Sequence, residues 1–475
     1  MSISSISNKY TFGMIGLGTM GRNLLLNMAD HDYAVCGYDS DASKVNLLEK
    51  EGEAKKVKGF TSVRAFIDNL SVPRSIMMLV PAGPIVDQVI AELIPLLQKG
   101  DILIDGGNSH FMDTNRRVDE LEAKGFHFFG MGISGGEEGA RKGPSMMPGG
   151  DPEAYKVMQP IFEAIAAKVN GEPCVAYIGP GASGHFVKMV HNGIEYGLME
   201  LISETYGFLK VGLGYSNSQI KDVFTLWNSG RLKSFLLDIT KDIFSYIDSQ
   251  TGKLLLDEIK DEAKAKGTGK WTSQIAMDLD CPIPTIDTAV SMRDLSKYKT
   301  LRMALSGLYN QDSTLIKENT TAAIQDLEKA LYFATIITYA QGMHLLAKAS
   351  EQYKYTLSLS TISRIWRGGC IIRSEFLQEI YTAFEKNPSM EHLLLDSEVQ
   401  KLIKEVTKGT RNSVGKAVEN GISFSAFGSA LSYFDSLKTG RLPSNLIQAQ
   451  RDYFGAHTYE LIGKEGVFHT QWVQK

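Results

Sequence analysis

An apolar strand at residues 11–15 runs directly into Gly16-Leu17-Gly18-Thr19-Met20-Gly21 and then into helical periodicity, an order that few folds accept. Glycines between a strand and a helix allow a tight turn, leave room for a pyrophosphate beside the backbone, and aim the helix N-terminal amides at that anion. The pattern then repeats. Strand-like runs at 33–38, 75–80, 101–105 and 126–130 are separated by helical stretches, the first beginning at Ala42. Such alternation predicts an α/β Rossmann-type domain, a parallel sheet with helices on both faces that binds a dinucleotide. Asp39, followed by Ser40 and Asp41, closes the second strand about twenty residues after the glycines. Its carboxylate is expected to accept hydrogen bonds from the adenosine ribose and to repel the 2′-phosphate of NADP. No arginine stands in this stretch to receive that phosphate, so NAD is expected over NADP. Lys44 reads as a solvated residue early in the next helix.

Beyond about residue 182 the strand signals fade into long amphipathic stretches such as 313–351 and 371–384. The expected organisation is a Rossmann-type domain at 1–182, a large all-α domain at 183–440 for substrate and dimerisation, and a C-terminal tail at 441–475. If the run Gly184-His-Phe-Val-Lys-Met-Val-His-Asn-Gly-Ile-Glu-Tyr196 is helical, Lys188, His191, Asn192, Glu195 and Tyr196 share one face. The other positions are Phe186, Val187, Met189, Val190, Ile194 and Leu198, so the helix is expected to be buried on most sides. Burying such a polar stripe unpaired costs several kcal/mol, so a ligand is expected to compensate. The alternative, Lys188 and Glu195 on a solvated surface, sits badly with that apolar surround. Gly267-Thr268-Gly269-Lys270-Trp271-Thr272, just after Lys266, reads as a flexible polar segment interrupting the helices, either an anion-binding loop or a plain surface turn.

Composition narrows the classes. A net charge of −4 with no long Lys/Arg cluster opposes a nucleic-acid binder, so any bound anion must meet a local group of cations. No apolar stretch reaches the roughly 18 to 20 residues needed to span a bilayer. Cys36, Cys174, Cys281 and Cys370 are scattered without metal-ligand spacing, and no signal-peptide pattern opens the chain, so a reducing cytoplasm is expected and no metal is called for.

Several longer motifs resemble one family. Asp105-Gly-Gly-Asn-Ser109, Ser134-Gly-Gly-Glu137, Gly143-Pro-Ser-Met-Met-Pro-Gly-Gly150, His185 through Tyr196, Lys266 through Thr272 and Tyr453 through Glu460 occur in the order found in decarboxylating 6-phosphogluconate dehydrogenases. The resemblance spans essentially the whole chain. It implies oxidation of 6-phospho-D-gluconate at C3 followed by loss of C1 as carbon dioxide, giving ribulose 5-phosphate and a reduced nicotinamide in the pentose phosphate pathway and gluconate utilisation. It implies Lys188 as base, Glu195 as acid and Asn192 as the residue orienting the lysine and the reacting hydroxyl, with no metal. Carried over in the same way, Ser134, Gly135 and Gly136 lie near the substrate carboxylate, with Asn108, His191 and Asn192 near the sugar and nicotinamide. Tyr196, Lys266, Thr268 and Arg293 surround the phosphate, completed by Arg451 and His457 from the neighbouring subunit of a homodimer. The cofactor would meet Gly16, Leu17, Gly18, Thr19, Met20, Gly21, Asp39, Ser40, Asp41, Val80, Pro81, Ala82 and Asn108. The chain departs from the family near the cofactor: Asp39-Ser40-Asp41 stands where Asn-Arg-Thr or a close relative is common, Gly18 where Ala is common, and Pro81 where Lys is frequent. A non-decarboxylating NAD-dependent 3-hydroxyacid dehydrogenase would use the same Lys188 and Asn192 but have no use for Lys266, Arg293, Arg451 and His457. A catalytically silent sensor of the NAD redox state need not retain both Lys188 and Glu195.

Overall fold

The computed structural model describes residues 9–309, 315–316 and 320–472. One sheet holds β1 Phe12–Ile15, β2 Val35–Tyr38, β3 Val57–Phe60, β4 Ser75–Met78, β5 Ile102–Asp105, β6 His127–Ser134 and β7 Ser145–Gly150. Their order is β3-β2-β1-β4-β5-β6-β7, parallel as far as β6, with β7 antiparallel to it. The chain leaves β1 toward β3 on one side and resumes at β4 on the other, which opens a crevice beyond the carboxyl end of β1. All four residues of β1, β4 and β5 are buried, because helices cover both faces. This is the Rossmann-type sheet expected from the alternation.

Two strands of this sheet are absent from the sequence reading. The edge strand β3 is Val-Lys-Gly-Phe, too short and polar to register as an apolar run. In β7, Ser-Met-Met-Pro-Gly-Gly reads as a turn. Its antiparallel pairing with β6, with single bridges to Val175 and Gly179 on its other side, makes it a strand, and Pro148, lacking an N–H, is tolerated at a sheet margin.

The helical part is built on the helix Ser183–Gly207, which packs against β6 and β7 and against the helices Thr268–Asp278, Pro284–Ser296 and Thr320–Tyr353. Phe186, Val187, Val190 and Ile194 are wholly buried, as expected for a helix enclosed on most sides. The amphipathic stretch at 313–351 becomes the helix Thr320–Tyr353; residues 313, 314 and 317–319 lie outside the described residues. The stretch at 371–384 is helical only from Phe376, because Ile371 is tied to Ser134 at the end of β6 and residues 373–375 pair with residues 233–235. Among the described residues no helix is long and apolar enough to cross a membrane. The chain ends in the helix Ser444–Gly455 and a hairpin, Tyr459–Leu461 with Lys464–Phe468, against which that helix packs.

Candidate active site

At the crevice, Gly16 has φ +92°, and a Cβ on Gly21 would lie 2.0 Å from the Gly16 carbonyl oxygen, so strand and helix touch there without side chains. A Cβ on Gly18, by contrast, would meet nothing within 4 Å. The helix Thr19–Asp30 begins at Gly18 with no side-chain cap, leaving its first amides for an anion. Open space, bare amides and a helix N-terminus fit a pyrophosphate. Val80, Pro81 and Ala82 follow β4 at the same edge, with Val80 beside Gly16.

Asp39 is buried at the end of β2, and its carboxylate is already engaged. Its Oδ2 accepts from the Leu17 amide at 2.9 Å and its Oδ1 from the Asp41 amide at 2.9 Å. The residue expected to meet the adenosine ribose therefore also braces the glycine loop. Asp41 caps the following helix by accepting from the Ser43 amide, and Ser40 between them is exposed. Lys44, expected to be solvated, keeps 43% of its side chain exposed and also lies 3.4 Å from Asp39 Oδ2.

The polar stripe gathers where the helix Ser183–Gly207 crosses β6. The crossing is close: a Cβ on Gly132 would fall 2.4 Å from Lys188 Cβ. His185 is fixed by donating from Nε2 to the Asp105 carbonyl at 3.0 Å, which leaves Nδ1 to accept from Thr114 Oγ1 at 2.7 Å. One turn on, Lys188 Nζ lies 3.4 Å from His191 Nδ1, and that nitrogen lies 3.2 Å from Asn192 Oδ1. His191 Nε2 reaches Ser134 Oγ, the last residue of β6, at 3.2 Å. Glu195 Oε2 completes the row at 3.9 Å from His191 Nδ1. Burial depresses the Lys188 ammonium below its ordinary range, partly offset by Glu195 and Cys370. Burial and Lys188 hold His191 well below the usual imidazole value. Burial raises the Glu195 carboxyl, against the pull of Lys188 and Arg293. The result is a lysine biased toward its neutral form and a carboxyl biased toward its acid form, less than two helical turns apart.

Asn108 is exposed in the loop after β5, whose shape is set by Asp105 accepting from the Gly107 amide and from Ser109 Oγ. Gly135 and Gly136 follow Ser134 with φ +124° and +62°, and a Cβ on Gly136 would project into open space. On the far side the Arg293 guanidinium lies 3.5 Å from the centre of the Tyr196 ring, a cation stacked on an aromatic face. The segment expected as a flexible loop at 267–272 is ordered differently: Gly267, at φ +98°, caps the helix Thr268–Asp278. Thr272 is buried, and its hydroxyl donates to Met189 O at 2.9 Å, so this helix is clamped to the central one. Thr268 is buried at its first turn and Lys266 is exposed just before it. Arg451 and His457 lie exposed on the tail; Arg451 donates to Gln448, and His457 packs edge-on to Phe454. Among the described residues no hydrogen bond or ion pair joins either of them to Lys266 or Arg293 of their own chain.

Sequence reasoning passed over the turn at 368–371. The Gly369 carbonyl oxygen lies 2.6 Å from where a Gly135 Cβ would be, and the Ile371 amide donates to Ser134 Oγ at 3.4 Å. The paired glycines 368 and 369 were the available signal, but nothing local tied them to Ser134 and Gly135 far earlier in the chain.

Fold and site together define a nicotinamide-dinucleotide oxidoreductase with a buried lysine where the central helix crosses β6. Residues 11–179 match the NAD binding domain of 6-phosphogluconate dehydrogenase, and residues 184–472 match the C-terminal domain of 6-phosphogluconate dehydrogenase. The chain is 49% identical over 468 residues, 98% of its length and 100% of the relative's, to the NADP(+)-dependent decarboxylating 6-phosphogluconate dehydrogenase of Bacillus subtilis. It is 47% identical over 467 residues to the decarboxylating enzyme of Escherichia coli, covering 98% of this chain and all of that one. A solved Plasmodium falciparum 6-phosphogluconate dehydrogenase, described apo and in complex with NADP+ and with 6-phosphogluconate, superposes with a TM-score of 0.95 at 43% identity, covering 97% of this chain and 100% of that one. The chain belongs to the decarboxylating 6-phosphogluconate dehydrogenases, and the 3-hydroxyacid dehydrogenase alternative is not favoured.

Proposed function

We propose that Lys188, Asn192 and Glu195 carry out the oxidative decarboxylation of 6-phospho-D-gluconate, with NAD preferred over NADP. The observation that carries this reading is the row Lys188–His191–Asn192–Glu195, buried as far as Asn192 and half-buried at Glu195, with His191 reaching Ser134. The bound nicotinamide supplies the hydride acceptor. Neutral Lys188 takes the proton of the C3 hydroxyl as hydride leaves C3, with Asn192 orienting both groups. The protonated lysine then donates to the new C3 carbonyl oxygen, so the electrons of the breaking C1–C2 bond collect in an enediol as carbon dioxide departs. Glu195 protonates the carbon that becomes C1 of ribulose 5-phosphate, and Lys188 recovers the proton from the former C3 oxygen.

Ser134, Gly135 and Gly136 receive the substrate carboxylate, and Asn108 and His191 position the sugar beside the nicotinamide. Tyr196, Lys266, Thr268 and Arg293 hold the phosphate, with Arg451 and His457 entering from a second copy of the chain. The exposed Leu446, Ile447, Tyr453 and Phe454 of the tail helix support a partner-bound tail, since a lone chain leaves them in water. We take the functional units as 1–182, 183–440 and the tail 441–475. The NAD preference rests on Asp39, Ser40 and Asp41 of this chain, against relatives described with NADP; Lys44 offsets part of that charge. The test is kcat/KM for 6-phosphogluconate oxidation with each cofactor. A higher value with NAD supports the charge argument, and a higher value with NADP overturns it while keeping the enzyme. The pair Asp39→Asn, Ser40→Arg should move the ratio toward NADP; an unmoved ratio would place the discriminating contact elsewhere.

A further inference from the structure

Asp452 stands apart from its surroundings. Its neighbours Tyr453 and Phe454 are 59% and 73% exposed, yet Asp452 itself is 0% exposed. Its carboxylate gathers four donors from separate segments of the tail. Oδ1 accepts from the Thr458 amide at 3.0 Å and from His469 Nδ1 at 2.9 Å. Oδ2 accepts from the Thr470 amide at 3.0 Å and from Trp472 Nε1 at 2.8 Å. With little apolar core in the tail, these bonds, together with Gln448 Nε2 donating to the Thr458 carbonyl at 2.6 Å and Tyr453 against Trp472, close the helix Ser444–Gly455 onto the strand-bearing end of the chain.

The closure also fixes one turn. Ala456 and Thr458 both have left-handed backbone conformations, at φ +50° and +61°, which non-glycine residues adopt only when their surroundings hold them there. His457 lies between them. The Ala456 amide donates to the Asp452 carbonyl at 3.0 Å, and the Thr458 amide to its side chain, so Asp452 grips both flanks of His457. Arg451 immediately precedes it in the same helix.

We infer that Asp452 is a positioning residue for substrate phosphate, pre-organising Arg451 and His457 as one rigid pair that enters the partner's site. The inference rests on the proposed role of the tail. A tail without this carboxylate carries the same cation and imidazole but must order them on binding, and that cost falls on the phosphorylated substrate.

The test uses the full-length Asp452→Asn enzyme, with kcat and KM measured for 6-phosphogluconate and for unphosphorylated gluconate, and assembly followed by analytical ultracentrifugation. KM for 6-phosphogluconate should rise about tenfold or more, while kcat/KM for gluconate stays near the unmodified value, so discrimination between the substrates collapses. A general structural defect would lower both substrates together, and that outcome, or an unchanged discrimination ratio, overturns the inference. Arg451→Ala separates the two readings. If it leaves the KM for 6-phosphogluconate unaltered, the tail has no phosphate role and the underlying proposal fails; if it raises KM while Asp452→Asn does not, only the positioning role fails. Should Asp452→Asn not assemble, Trp472→Phe removes one of the four donors and should narrow discrimination in the same direction by a smaller factor. An unmoved ratio in that variant likewise overturns the role.

Discussion

Gly132→Ala tests whether the crossing of β6 and the central helix sets the lysine's position. The new Cβ would lie 2.4 Å from Lys188 Cβ and 3.0 Å from both Lys188 Cγ and the Gly184 carbonyl oxygen. Non-bonded carbons rest at about 3.5–4.0 Å, so strand and helix must part by roughly 1 Å. Neither can yield locally: β6 is held between β5 and β7, and Lys188 is buried on a helix packed against several others. The displacement therefore changes the spacing between Lys188 and Ser134, two residues beyond Gly132. A misplacement of about 1 Å at a reacting group costs about 100-fold in rate, equivalent to roughly 2.7 kcal/mol of barrier. Overpacking should also cost about 1–3 kcal/mol of stability. Steady-state kinetics should show the loss in kcat, calorimetry a lowered Tm, and dinucleotide Kd should stay within about twofold because the glycine loop is remote. Near-normal kcat with an unchanged Tm would refute the reasoning.

Three further outcomes follow from the same geometry. Gly21→Ala should destabilise the protein by about 1–3 kcal/mol or more and weaken dinucleotide binding, whereas Gly18→Ala, facing open space, should leave Tm unchanged; equal effects in thermal melts and titrations would contradict the loop geometry. Oxidation needs neutral Lys188, so kcat/KM should fall as pH drops through its depressed pKa, and Glu195→Gln, removing a charge that raises that pKa, should move this acid limb to lower pH; movement upward would refute the coupling. Burial lifts Glu204 to about 7 although it accepts from the Ala426 and Phe427 amides at 2.8 and 3.2 Å. Its contribution to stability is complete below the ordinary carboxylate range and lost as pH rises through 7. Tm should thus decline from pH 5 to 8, less steeply in Glu204→Gln; Glu200, also raised to about 7, retains part of the slope, and identical slopes would remove Glu204 from the account.

The Rossmann-type sheet, the glycine loop and the polar face of the central helix were legible in the sequence because each is a local regularity: alternation, a fixed glycine spacing, and residues three and four apart. Those patterns depend only on neighbours along the chain, and the family motifs add the expected chemistry to them. Other features arise from groups distant in sequence. The strand β7 exists through pairing with β6 and with residues that follow it, and Gly369 is needed where its turn packs against Gly135 and Gly143. Gly267 proved to be a helix cap rather than part of a loop, in a helix held to the central one through Thr272, and Lys44, still partly exposed, pairs with Asp39 because that carboxylate is buried beside it. The bias of Lys188 toward neutrality was likewise decided by tertiary structure. Sequence supplied a lysine on an apolar helix, but desolvation is a property of everything packed around it.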